Sequence, residues 1–178
     1  MTSTEWLPDA IRGIRRRPIV ADGTGVSVSF GVPEISRLLP HRPPMLLLES
    51  IDVVDLDARA VRGHRTLRAG DLGFEGHFPG DAIYPGVLLI EMMGQLGITL
   101  IHFVGGGTIT VPIDAAPPRV RATHIHHATF LAPTRPGDEL TLHAAVVMSN
   151  ELTMIASTQV FTGDTLAAYA VAEVYVDE

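Results

Sequence analysis

The stretch that most constrains this chain is residues 85–104, PGVLLIEMMGQLGITLIHFV. Pro85 suits a helix start, no proline interrupts Val87 to Val104, and Gly105, Gly106 and Gly107 supply a stop. Apolar residues fall on every side of such a helix, so it has to be covered all round rather than laid half-exposed on a surface. Its single charged residue is Glu91. A lone carboxylate in that setting is costly unless it is neutralised or paired, which singles out Glu91 as a candidate for chemistry.

The remaining sequence predicts the cover. Val26, Val28 and Phe30 alternate with serines as in a short strand, and Glu34 to Leu39 reads as a helical turn before Pro40. Met45 to Val54 reads as a buried strand and Ala58 to Leu67 as its hairpin partner, with Asp55-Leu56-Asp57 between them. After a loop over 105–119, strands are predicted over 120–131, 139–148, 152–161 and 166–176. Pro136-Gly137-Asp138, Ser149-Asn150 and Gly163-Asp164 form the turns. Strands, one long buried helix and then more strands make an α+β pattern: an antiparallel sheet wrapped on the helix. A chain of 178 residues suits one domain. The reading places an N-terminal extension over 1–33 and the domain over 34–178.

Composition excludes several chemistries. With no cysteine and no lysine, the chain has no thiolate nucleophile, zinc-thiolate site, Schiff-base lysine or P-loop lysine. A net charge of −7 argues against nucleic-acid binding. The start carries Arg15-Arg16-Arg17 without an apolar stretch after it, so it does not read as a secretory signal, and a cytoplasmic location is expected. The three arginines read as a docking patch for an acidic partner or, more economically, as a solvated and partly disordered tail. His124, His126 and His127 invite a metal reading. In a strand, however, 127 faces away from the other two, and no carboxylate lies within that strand. No metal and no cofactor are expected.

The long helix is preceded by a Gly/Pro-rich loop, and the whole of 76–95, GHFPGDAIYPGVLLIEMMGQ, resembles the FabZ-type β-hydroxyacyl-[acyl carrier protein] dehydratases, a hotdog-fold family. G-H-F-P-G, then P-G-V, then Glu91 and Gln95 carry the resemblance. So do Leu39-Pro40-His41-Arg42-Pro43-Pro44-Met45-Leu46-Leu47-Leu48 upstream and Phe130 with Pro136-Gly137-Asp138 downstream. The resemblance implies that His77 is the catalytic histidine, Glu91 the catalytic acid and Gly86 a backbone donor. It also implies that His77 and Glu91 meet across a homodimer interface, in a dimer or a trimer of dimers. The implied substrate is a 3-hydroxyacyl thioester on an acyl carrier protein or coenzyme A, in fatty-acid or polyketide-type synthesis.

The residue types suit that reaction. Removing water from a 3-hydroxyacyl thioester needs a base for the C2 proton, and histidine titrates near neutrality. It needs an acid for the departing hydroxyl, and burial in an apolar helix is expected to keep Glu91 protonated. Free N–H groups at the helix start, near Gly86, can face the thioester oxygen. Phe78, Pro79 and Gly80 shape the loop, Tyr84 lines the acyl channel or simply packs, and Gln95, one turn beyond Glu91, orients it or satisfies a buried polar need. His102 lies too far along the helix to share the centre. His41 reads as a brace for its loop rather than a catalytic group.

Departures from the family pattern bear on specificity. Thr129 and Leu131 stand where relatives carry basic residues, so carrier docking would shift to Arg119, Arg121 or Arg135. Glu49-Ser50 and Met92-Met93-Gly94 are further substitutions, the methionines flexible enough to reshape an acyl pocket. Competing readings are a dehydratase/isomerase, which usually has aspartate in place of Glu91, a hotdog acyl thioesterase, and a non-catalytic carrier-binding module.

Overall fold

The computed structural model describes residues 5–177. Its elements run α1 (Leu7–Ile14), β1 (Val26–Phe30), α2 (Val32–Leu38), β2 (Ser50–Asp55), β3 (Ala60–Thr66), α3 (Gly86–Leu100), β4 (Arg119–Phe130), β5 (Glu139–Ser149), β6 (Thr153–Thr162) and β7 (Thr165–Asp177). The strands form a single antiparallel sheet in the order β1-β2-β3-β5-β6-β7-β4. This is the hotdog arrangement, with α3 as the filling.

Leu89, Met92, Met93, Leu96 and Leu100 of α3 share one core with Leu140, Leu142 and Ala144 of β5, Ala156 and Val160 of β6, and Ala168 and Ala170 of β7. Met92, Leu96 and Leu100 are completely buried, each contributing roughly 1.5–3 kcal/mol by leaving water. The helix approaches β3 so closely that a Cβ on Gly63 would stand 3.0 Å from Leu96 and 2.8 Å from the Ser50 carbonyl. Pro85 caps the helix rather than opening it, and the helix runs on through a π-helical turn, Ile101–Gly105, into the glycines. Gly86–Gly105 has a mean hydropathy of 1.8. Among the described residues it is the one helix apolar and long enough to cross a membrane, and it is this core helix.

Two expectations are corrected. Of the predicted strand 45–54, only Ser50 onward joins the sheet. The Leu47 N–H is satisfied by the Gln95 side chain instead of a neighbouring strand. The second concerns the extension, expected as a solvated tail. Beyond residues 1–4, which lie outside the described residues, it is ordered on the outer face of the sheet. Leu7, Ile11 and Ile14 form one apolar stripe of α1 that packs with Trp6 and Ile19 on Ile155, Tyr169 and Val171. The segment after α1 is pinned by side chains of the sheet. Gln159 accepts from the Ile19 N–H (2.8 Å) and donates to the Ile14 and Arg17 carbonyls, and His143 Nδ1 accepts from the Val20 N–H (3.2 Å). Further on, β1 pairs with β2, so the extension also supplies an edge of the sheet.

Candidate active site

His77 sits in a loop folded by glycines, with Gly73, Gly76 and Gly80 at φ of 103°, 82° and 82°. Two reciprocal brackets hold it. Phe78 and Asp81 exchange backbone hydrogen bonds, and the Ile83 N–H bonds the His77 carbonyl at 3.0 Å. The second bracket is closed by the His77 ring, whose Nδ1 lies 2.8 Å from the Ile83 carbonyl. A carbonyl can only accept, so Nδ1 carries the hydrogen and Nε2 keeps its lone pair. The ring of the exposed Phe78 stacks on the imidazole at 4.1 Å, while Pro79 and Gly80 form the exposed tip.

Glu91 is half-buried on α3 and meets two donors. Gln95 Nε2 lies 2.8 Å from Oε1, and His41 Nε2 lies 3.2 Å from the same oxygen. These donors, His41 foremost, outweigh desolvation and hold the carboxyl below the usual carboxylate range. The expectation that burial alone keeps Glu91 protonated is therefore corrected for the single chain: two hydrogen bonds favour the charged form more than partial burial opposes it. Gln95 itself is buried. It accepts from the Leu47 N–H and donates to the Met45 carbonyl, so it both orients Glu91 and ties residues 45–47 to the helix.

His41 was the residue sequence reasoning undervalued. Its Nδ1 is buried without a partner among the described residues, so the tautomer with hydrogen on Nε2, aimed at Glu91, leaves no N–H stranded. The available signal was the demand of a lone carboxylate for a partner, but nothing local in sequence joined positions 41 and 91.

Gly86 opens α3, where the first N–H groups lack helical acceptors. A Cβ there would come within 2.7 Å of the Phe130 ring, so glycine is demanded by packing as well as by any substrate approach. Tyr84 is buried against Phe74, and its hydroxyl has no hydrogen-bond partner among the described residues. It also lines a cavity of about 320 Å³ bounded by Leu46, Leu48, Arg65 and Leu72. Met92 and Met93 are core residues. Glu49 is occupied by Arg65 and Arg68. Of the arginines expected to hold a carrier, Arg121 is paired with Asp177 at 2.7 Å and Arg135 with Asp81, whereas Arg119 is exposed. His126 pairs with Glu173 of β7 at 3.1 Å, and His102 bonds the Thr110 carbonyl. The structure thus gathers His41, Glu91 and Gln95 at one point and His77 with Ile83 at another. Among the described residues, no hydrogen bond or ion pair joins His77 to Glu91 within the chain.

Residues 39–171 match the family model of the FabA-like domain. The 3-hydroxyacyl-[acyl-carrier-protein] dehydratase FabZ of Sulfurimonas denitrificans is 34% identical over 139 residues, covering 78% of this chain and 91% of that protein. FabZ of Campylobacter jejuni is 36% identical over 139 residues, covering 78% and 92%. Among solved structures, the dehydratase heterocomplex ApeI:P from Xenorhabdus doucetiae superposes with a TM-score of 0.63. It covers 81% of this chain and 91% of that one at 18% identity, a likeness of fold. With its motif, its sheet-wrapped helix and these relatives in agreement, the chain belongs to the FabA-like family and, within it, to the FabZ-type 3-hydroxyacyl-[acyl-carrier-protein] dehydratases.

Proposed function

We propose that this protein removes water from 3-hydroxyacyl thioesters to give trans-2-enoyl thioesters, in fatty-acid or polyketide-type synthesis, with His77 as base and Glu91 as acid. The observation that carries the reading is the His77 tautomer: Nδ1–H is committed to the Ile83 carbonyl, so Nε2 is a ready acceptor. Nε2 takes the C2 proton, and the electron pair forms the C2–C3 double bond as the C3–O bond breaks. The thioester oxygen draws on the free N–H groups at the start of α3. Glu91 receives the substrate hydroxyl and gives it the proton with which it leaves as water. For that step the carboxyl must rise from its lowered position. Desolvation already pushes it upward, and an acyl chain filling the site strengthens that push.

The working unit in this reading is a cytoplasmic homodimer, or a trimer of dimers, in which one protomer's His77 faces its partner's Glu91. Two features support it. β4 is an edge strand paired on one side only, with Ile125 and Phe130 about half exposed. Val87 on the first turn of α3 is 71% exposed beside the proposed donors. A long edge and an apolar rim of this kind ask for a second copy.

The test is turnover of 3-hydroxyacyl thioesters of graded length, following enoyl formation and free thiol separately. Enoyl product is expected. His77→Ala should abolish it, and Glu91→Gln should lower turnover about 10²- to 10⁴-fold, the usual range for acid–base groups. Near-normal turnover by Glu91→Gln would leave His77 handling both proton transfers. Thiol release without enoyl product would make the protein an acyl thioesterase, and binding without either product a carrier-binding module.

A further inference from the structure

The segment carrying Arg15, Arg16 and Arg17 lies outside residues 39–171, which match the family domain. Its backbone is nonetheless fixed on the outer face of the sheet. Ile14 and Val20, on either side of the three arginines, are buried, and the Gln159 and His143 side chains grip the chain between them. The three arginine side chains remain exposed. Among the described residues no carboxylate lies within 4.0 Å of any of them, in contrast to Arg121 and Arg135.

With Arg62, His64 and His143, these arginines line a cavity of about 520 Å³. Its lining holds four arginines against two carboxylates, Asp22 and Asp164, a surplus of two positive charges on a chain whose net charge is −7. Arg62 is spent on Asp52 and Asp22, so the uncommitted charge belongs to the N-terminal segment. The strand pairing fixes where this cavity lies. Leu140 faces Thr162, next to the Gly163-Asp164 turn that borders the cavity, and Thr66 faces Glu139. At the same end the Leu131 N–H bonds the Ala167 carbonyl and the Tyr84 N–H bonds the Thr134 carbonyl, one residue before Pro85 and the start of α3. The arginine cavity and the His77 loop therefore occupy the same end of the sheet.

We propose that the arginine-lined rim of this cavity docks the acidic face of the carrier protein that delivers the acyl thioester. The docking charge then comes from Arg15, Arg16 and Arg17 rather than from Arg119, Arg121 and Arg135. The inference rests on the carrier-bound substrate of the proposed function. Guanidinium groups on a backbone already fixed form forked bonds to carboxylates or a phosphate with little ordering cost, and no internal pair has to break first.

The test is titration of a holo acyl carrier protein against the full-length protein, at low salt and at 0.15 M. Arg15→Glu/Arg16→Glu/Arg17→Glu should weaken binding about 10-fold or more and flatten its salt dependence, while Arg119→Glu/Arg121→Glu should change it less than about 2-fold. A matching triple change to glutamine, with its melting temperature recorded, separates lost charge from lost fold: intermediate binding at unchanged melting is expected. Carrier binding unchanged by the triple reversal, or weakened more by the Arg119/Arg121 pair, overturns the proposal. So does binding of anionic vesicles or inorganic phosphate that depends on the triad while carrier binding does not. Turnover of a coenzyme A-linked 3-hydroxyacyl thioester by the wild-type protein is read in parallel. Absence of enoyl product from both this thioester and the carrier-linked one would sink the dehydratase reading independently of where the carrier binds.

Discussion

Two buried glutamines, one on each face of the sheet, perform the same task with different company. Gln95, on the inner face, bonds the Leu47 N–H and the Met45 carbonyl and holds a segment that never enters the sheet. Gln159, on the outer face, bonds the Ile19 N–H and the Ile14 and Arg17 carbonyls and holds the N-terminal segment. An uncharged amide offers one acceptor and two hydrogens, so it can replace a missing strand neighbour at any ordinary pH. The difference lies in the remaining bond. Gln159 gives both hydrogens to backbone, whereas Gln95 gives one to the Glu91 carboxylate. The inner clamp is thus tied to an ionisable carboxyl, the one proposed as the acid, and the outer clamp only to architecture.

The largest effect expected from breaking this symmetry is at Gln95→Leu. It strands the Leu47 N–H in the core, frees the Met45 carbonyl and leaves Glu91 one donor short. Stability should fall by about 3–4 kcal/mol, one buried N–H left unsatisfied and two further hydrogen bonds lost, and turnover should fall with it. Denaturant unfolding and enoyl formation check both halves. A variant that loses stability alone would show that Glu91 does not depend on Gln95.

Next in size is a pH effect confined to the outer clamp. Burial, with the Arg62 cation and the His64 ring nearby, lowers the His143 pKa to about 4, against opposing help from Asp52 and Asp22. Neutral His143 accepts the Val20 N–H, and the protonated ring cannot. In the unfolded chain the group titrates near its ordinary value of about 6.5. Between that pH and 4 the unfolded state therefore binds the extra proton. Stability is full above about pH 6.5 and declines as pH falls, by roughly 2–3 kcal/mol at pH 4.5. Melting curves from pH 7.5 to 4.5 should show the decline, and His143→Gln should remove most of it. An equal slope in that variant would assign the decline to other groups.

The smallest effect should come from Gln159→Leu. The freed Ile14 and Arg17 carbonyls can turn to water as the segment loosens, so the loss should be about 1–2 kcal/mol. Hydrogen exchange should localise it to residues 14–20. Exchange spreading into β6 and β7 would show that the outer clamp supports the sheet as Gln95 supports the inner face.

The fold was legible where patterns repeat locally. The apolar stretch that became α3, the turn residues, and the period of the last four strands each announce an element within a few residues. Loop geometry was legible in the same way, since G-H-F-P-G carries its own turns. What escaped were bonds between distant positions. The run at 45–49 looks like a strand because it is apolar, and only Gln95, far along the chain, decides that it is not one. The same distance hid the His41–Glu91 contact. The N-terminal helix was missed although Leu7, Ile11 and Ile14 fall at helical spacing and Pro8 stands in its first turn. The arginines after them drew the eye to charge and away from that stripe.

The strand order has a consequence for how the chain is made. Only β1, β2 and β3 precede α3, and the four strands that complete its cover are synthesised after it. β4 waits longest. Its one neighbour in the sheet is β7, so it must remain unpaired until β5, β6 and then β7 have been made beyond it. During synthesis the most apolar helix of the protein is therefore exposed for as long as the later half takes to emerge, an interval of seconds at ordinary rates of about 5–20 residues per second. A nascent chain halted before β7 would present both an uncovered helix and a strand with no neighbour, the form most in need of a chaperone.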